Sequence, residues 1–197
     1  MRPARAARRV RRVNPIRRFL RLLWLSITAK RRPRLGIHDV ARMSARVWPT
    51  DLDELRHVNN GVYLSMMDHP RLDLLQRSGV WAKMQQAGVY PVVASQTITY
   101  RKSLKLWQRY DIESRIIGYD ERAVFVEQRF VVGGEIYARA IVKGRFLRRT
   151  GGVVGTAELA ELTGIDTASM PVPAWLHDWS EHVALPSTRQ PAPSLWD

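Results

Sequence analysis

The hydrophobic rhythm of this 197-residue chain changes along its length, and each change predicts an element. Val62, Tyr63, Leu64, Met66 and Met67 place apolar residues at helical density and on more than one side. That pattern belongs to a buried helix rather than a surface one. Asn59-Asn60-Gly61 stands directly before it and supplies helix-start chemistry, so the helix is predicted to begin near Asn60. Pro70 has no N–H for the Met66 carbonyl, so a kink or a stop is expected there. Leu72, Leu74 and Leu75 carry the pattern on to Gly79, and a short helix follows over Val80–Ala87, ending at Gly88.

Beyond Pro91 the period becomes two. Val92–Tyr100 is rich in Val, Ile and Thr, and Gln108–Tyr119 alternates around Ile112, Ser114 and Ile116. Ala123–Val132 and Glu135–Leu147 are joined by Gly133-Gly134, a tight-hairpin signal. In the last of these, Ile136, Ala138, Ala140 and Val142 share one face, and Tyr137, Arg139 and Lys143 the other. One dry and one wet face is the pattern of an antiparallel sheet. With a first strand near Val40–Trp48, the prediction is an α+β domain, a five-stranded antiparallel sheet wrapped around one central helix.

The flanks differ from this body. Residues 1–36 hold 13 Lys or Arg and no acid, which leaves 19 basic against 18 acidic residues in the rest of the chain. The net charge of +14 therefore belongs to the arm, and it argues little for nucleic acid, which is not expected as a partner. Within the arm, residues 19–27 are apolar but interrupted by Arg21, and nine residues are too few to span a bilayer, which needs about 20. A basic amphipathic helix on an anionic membrane surface and a solubilising tail are both readings of this arm. The expected division is an arm over 1–36, a core domain over 37–150 and an extension over 151–197. The extension begins with a short helix, Thr156–Leu162. From Pro171 it becomes a Pro- and Trp-rich stretch read as irregular and packed on the body through its tryptophans. The absence of cysteine excludes disulfides, thiolate metal sites and a cysteine nucleophile, and a cytoplasmic location, peripheral to a membrane, is expected.

The stretch Trp48–Asp73 carries the chemistry. Its polar half, with Asp51, Asp53 and His57, feeds the helix N-terminus, where exposed N–H groups and the dipole favour an anion. The motif Asp51-x-Asp53-x-x-x-His57-Val58-Asn59-Asn60-x-x-Tyr63 fixes seven positions and resembles the signature of hot-dog-fold thioesterases of the 4-hydroxybenzoyl-CoA thioesterase type. In its wider context, from Trp48-Pro49-Thr50, it is similar to the branch called thioesterase superfamily member 6. The similarity extends over roughly residues 40–150. It implies a hot-dog fold, an acyl-CoA or related acyl thioester substrate, no cofactor, and a homodimer or higher assembly with sites at the subunit interface.

Thioester hydrolysis needs a nucleophile or base and a holder for the developing oxyanion. An aspartate carboxyl, ionised at neutral pH, can attack the carbonyl or activate water. The resemblance assigns this role to Asp53, the second aspartate of its pair, and leaves Asp51 to hold the loop. His57 is a candidate to orient Asp53 or polarise the carbonyl. Asn59, Asn60 and Gly61 are candidates for oxyanion support, and Tyr63 for a hydrogen bond across the site. For each, a capping or core role is the competing reading. Related plant acyl-carrier thioesterases place an asparagine between aspartate and histidine. Leu55 stands there in this chain, so Asp53 must do more. Glu127, in a strand, reads as solvated or salt-bridged. Arg101 and Lys102 are candidates for coenzyme A phosphates. The histidines (His38, His57, His69, His177, His182) show no metal-ligand spacing, and no Gly-x-Ser-x-Gly elbow or Walker loop occurs. The leading expectation is an acyl-CoA thioesterase. The alternative is a catalytically inert hot-dog protein that binds acyl groups or scaffolds at a membrane surface.

Overall fold

The computed structural model describes residues 32–187 and 189–195. The expected helix over residues 19–27 lies outside them. Strand β1 (Ala41–Arg46) leads through a 3-10 turn (Pro49–Asp51) to helix α1 (Asn60–Arg77) and helix α2 (Val80–Gln86). Strands β2 (Val89–Tyr100), β3 (Arg109–Tyr119), β4 (Val124–Val132) and β5 (Glu135–Arg148) follow. A two-residue strand β6 (Val153–Val154), helix α3 (Thr156–Thr163) and helix α4 (Ala174–His182) complete the chain. The sheet order is β1-β3-β4-β5-β2, all neighbours antiparallel, with β6 added to β5. The five expected strands all form, and β6 makes a sixth. Gly133 and Gly134 both take positive φ in the β4–β5 turn, as a primed hairpin turn requires.

One face of this sheet packs on α1. Tyr63, Met66, Met67 and Leu74 of α1 are buried against Tyr110, Ile112, Phe130, Ala138, Ala140 and Val142. Each of the larger aliphatic and aromatic side chains among these contributes about 1.5–3 kcal/mol by leaving water.

Of the two outcomes expected at Pro70, a kink or a stop, the stop does not occur. The helix continues to Arg77, and the Met67 carbonyl, beside the disturbed turn, accepts the Gln128 amide at 3.1 Å. Tertiary burial on both sides of Pro70 outweighs the lost helical bond.

A correction concerns the tail and the sheet face expected to be wet. Residues 174–182, read as irregular, form α4, whose Leu176 is buried with Ala123, Phe125 and Ile141 on the sheet face away from α1. Proline at the N-cap position starts this helix, and Leu176 with the partly buried Trp179 anchors it, while Trp175, expected to pack on the body, is 50% exposed; a Pro- and Trp-rich composition concealed the helix. The chain reaches it by crossing Gly118, where a Cβ would lie 2.9 Å from the Val172 Cα. That face of the sheet is thus dry at the Tyr119 end and uncovered at the Arg109 end.

Candidate active site

The loop before α1 closes on itself by backbone pairing. Leu52 and Val58 form an isolated antiparallel bridge, and the Asp53 N–H donates to the His57 carbonyl at 2.8 Å. Inside this turn the Asp53 Oδ1 accepts the Leu55 N–H at 2.9 Å and the His57 N–H at 3.2 Å. Oδ2 has no partner among the described residues, and the side chain is half-buried. Asp53 therefore holds its loop with one oxygen and offers the other. The contact with His57 runs through the backbone, and its imidazole is exposed.

Asp51 sits behind this turn. It is buried, its Oδ2 accepts the Trp48 N–H at 2.8 Å, and its carbonyl accepts the Asn59 N–H at 2.9 Å. Both bonds tie Asp51 to its own loop. Asn59 is the N-cap of α1, its Oδ1 accepting the Gly61 N–H at 2.9 Å. The cap takes the Gly61 N–H, while the Asn60 N–H makes no bond to another described residue. Asn59, Asn60 and Gly61 are all exposed.

Tyr63 points into the core, where its hydroxyl accepts the Leu104 N–H at 3.0 Å and its ring meets Tyr100 and Phe130 edge-on at 5.2 and 4.9 Å. Burial raises its pKa, the Leu104 N–H works the other way, and the nearby Tyr100 raises it again. It stays protonated at neutral pH. Tyr100, which the sequence did not single out, donates its hydroxyl to the Asn60 carbonyl at 3.1 Å and so joins the end of β2 to the start of α1. Its place on the same strand face as Ile98 was the available signal. The next residues, Arg101 and Lys102, are brought near the helix start but are engaged. Both pair with Glu135, at 2.6 Å each. Glu127 lies on the opposite sheet face, buried and paired with Arg129 and, at 3.4 Å, with Arg139.

A second feature was legible as one irregularity. The buried alternation Val124, Val126, Gln128, Phe130 contains a glutamine where an apolar residue is expected. Gln128 is fully buried, accepts from Arg71 Nη1 at 2.6 Å and donates to the Ser114 hydroxyl at 2.8 Å. Arg71 also pairs with Asp68, and its own burial lowers its pKa. Arg71 and Asp68 line a mainly apolar cavity of about 430 Å³ between α1, α2 and the sheet. Its lining begins at Asp68, about 12 Å along the helix from Asn60 at the usual rise.

Residues 47–180 match the sequence profile of the thioesterase-like superfamily. Protein THEM6 of Xenopus laevis is 40% identical over 102 residues, 52% of this chain and 49% of the relative. Protein THEM6 of Danio rerio is 32% identical over 127 residues, 63% and 62% of the two chains. The chain thus spans between about half and three-fifths of these relatives. Among solved structures, YbaW, a probable thioesterase from Escherichia coli, superposes with a TM-score of 0.58 at 24% identity, covering 62% of this chain and 95% of that one. Its fold is the helix-in-sheet arrangement described above.

Proposed function

The chain belongs to the thioesterase-like superfamily, and on that premise we propose that it hydrolyses an acyl thioester, from coenzyme A or a related carrier, to the free acid and thiol. The observation that carries this reading is the Asp53 carboxylate. It is fixed through Oδ1 by its own loop, is open at Oδ2, and sits on a turn that feeds directly into the first residues of α1. Asp53 either attacks the carbonyl carbon, expelling the thiolate and forming an acyl-enzyme that water opens, or takes a proton from the attacking water. The Asn60 N–H at the positive end of α1 is the uncommitted donor for the oxyanion. The cavity beyond Asp68 is within the size range of small-molecule pockets and suits the acyl chain. In this reading the exposed His57, whose backbone N–H bonds the carboxylate, meets the leaving thiol. Arg101 and Lys102 are available to coenzyme A phosphates in exchange for Glu135.

The reading includes a homodimer. Among the described residues β2 is an edge strand paired only with β5, and Gln96 and Tyr100 on its α1-facing side are exposed. A second copy covering that edge would complete the site. Among the described residues no helix is long and apolar enough to cross a membrane. The reading places the protein in the cytoplasm, with residues 1–36 at an anionic membrane surface.

A second reading, an inert acyl-binding protein, is favoured by one observation. Asp53 Oδ1 and the Gly61 N–H are both occupied by the loop's own groups, whereas the cavity stands independently of that loop. Turnover of an acyl-CoA panel separates the two. Hydrolysis that disappears in Asp53→Asn supports the enzyme. Acyl binding with no thiol release from any member supports the inert protein.

A further inference from the structure

The uncovered end of the outer sheet face has an unusual charge ladder. Where β1 meets β3, Arg42 lies opposite Glu113 and Ser44 opposite Asp111, and both rungs are bonded at 2.5 Å. The next rung sets Arg46 directly opposite Arg109. Like charges facing across a ladder destabilise it. Neither arginine forms an ion pair with a described residue, and Asp111, two residues along, is bonded to Ser44 instead.

Beyond this rung, Trp48 and Trp107 meet edge-on with ring centroids 5.5 Å apart, each 49% exposed. Trp107 is held at φ 63° by bonds between its N–H and the Val47 carbonyl and between the Gln108 N–H and the Lys105 carbonyl. A bulky side chain in that region is strained. The same end carries Leu106, 41% exposed, and Leu55, 76% exposed, their loops joined by the Val58–Leu104 backbone bond. Lys105 and Arg56, also exposed, have no acidic partner among the described residues.

We propose that this end of the folded body docks on an anionic phospholipid surface. Arg46, Arg56, Lys105 and Arg109 meet lipid phosphates, while Trp48, Trp107, Leu106 and Leu55 enter the headgroup–acyl boundary. Unpaired cations around exposed tryptophan and leucine provide the charge-plus-insertion combination that stable peripheral binding needs. A compact anionic ligand would use the arginines and rings but would leave Leu55 and Leu106 in water. A second copy of the chain would bring the like-charged clusters together. The lipid surface satisfies both groups at once, and it presents the Asp51–Gly61 loop to the membrane.

The absence of cysteine from the sequence makes a direct test available. In the full chain, Leu106→Cys, Leu55→Cys and, as a control, the exposed Gln86→Cys on α2 each carry a polarity-sensitive fluorophore. On phosphatidylcholine vesicles containing phosphatidylserine, the labels at 106 and 55 should brighten and shift to the blue, while the label at 86 does not change. Adding Arg46→Glu and Arg109→Glu should weaken that response about tenfold or more, since each base near such a surface matters by roughly a factor of five. A chain that co-sediments with the vesicles while the labels at 106 and 55 stay unchanged overturns the proposal, because binding then resides elsewhere. A lipid-free response to coenzyme A, or one that grows with protein concentration alone, also overturns it in favour of a ligand site or a self-contact.

Discussion

The Tyr63 hydroxyl accepts the backbone N–H of Leu104 at 3.0 Å, so the first turn of α1 is tied inside the core to the loop that carries Trp107. Leu104 is fully buried, and removing the hydroxyl leaves its N–H without that acceptor. Tyr63→Phe is expected to lower stability by about 1–3 kcal/mol in urea unfolding. An unchanged midpoint and slope would mean that water replaces the hydroxyl.

Asp53→Asn is expected to keep the fold, because an amide oxygen can still accept the Leu55 and His57 N–H groups. It removes the charge, and we predict a fall in kcat of at least about 100-fold. Asp51→Asn should act the other way, costing about 1 kcal/mol or more of stability, because in this buried position a neutral acceptor bonds the Trp48 N–H more weakly and the new amide NH2 must be buried, with a smaller loss of rate. Paired thermal melts and acyl-CoA kinetics check both. Full activity in Asp53→Asn would remove it from the chemistry.

Much of this site can be read from the sequence because it is local. Asp51, Asp53, Asn59 and Gly61 bond within the single stretch Trp48–Gly61, so spacing alone brings them together. The strands were legible for a similar reason, since alternation is set by which side chains meet the core. Contacts between distant segments were not legible. Nothing near Arg101 in sequence signals Glu135, and nothing near Pro70 signals that Gln128 reaches the adjacent turn. The composition of the tail concealed α4 because that helix is stabilised by packing under Leu176 rather than by helix propensity.

Assembly is expected to follow the exposed edge. Light scattering on the chain should give the mass of a dimer, since among the described residues β2 presents twelve residues with one side unpaired. A monomer that retains turnover would show that the site is complete in one chain.

The C-terminal segment depends on the lack of a side chain at Gly118. Gly118→Ala places a methyl group 2.9 Å from the Val172 Cα and should cost about 1–3 kcal/mol, with α4 released first. Leu176→Ala should cost about 2–5 kcal/mol by opening a cavity over Phe125 and Ile141. Hydrogen exchange would show α4 amides losing protection before those of β4. If α4 and β4 lose protection together, α4 belongs to the global unfolding unit.

The stretch just after the arm is fastened to the closing turn of α1. The Arg77 Nε donates to the Pro33 carbonyl at 2.9 Å, Arg77 and Arg32 both pair with Asp73, and the Leu35 N–H meets the Arg77 carbonyl at 3.4 Å. Asn60, at the other end of that helix, is about 26 Å away. A tag, bead or sensor chip attached at Arg32 therefore holds the molecule by one pole and leaves the Asp53 loop facing solution at the other. For single-molecule pulling or immobilised kinetics, a handle joined at Arg32 leaves the reactive end unobstructed.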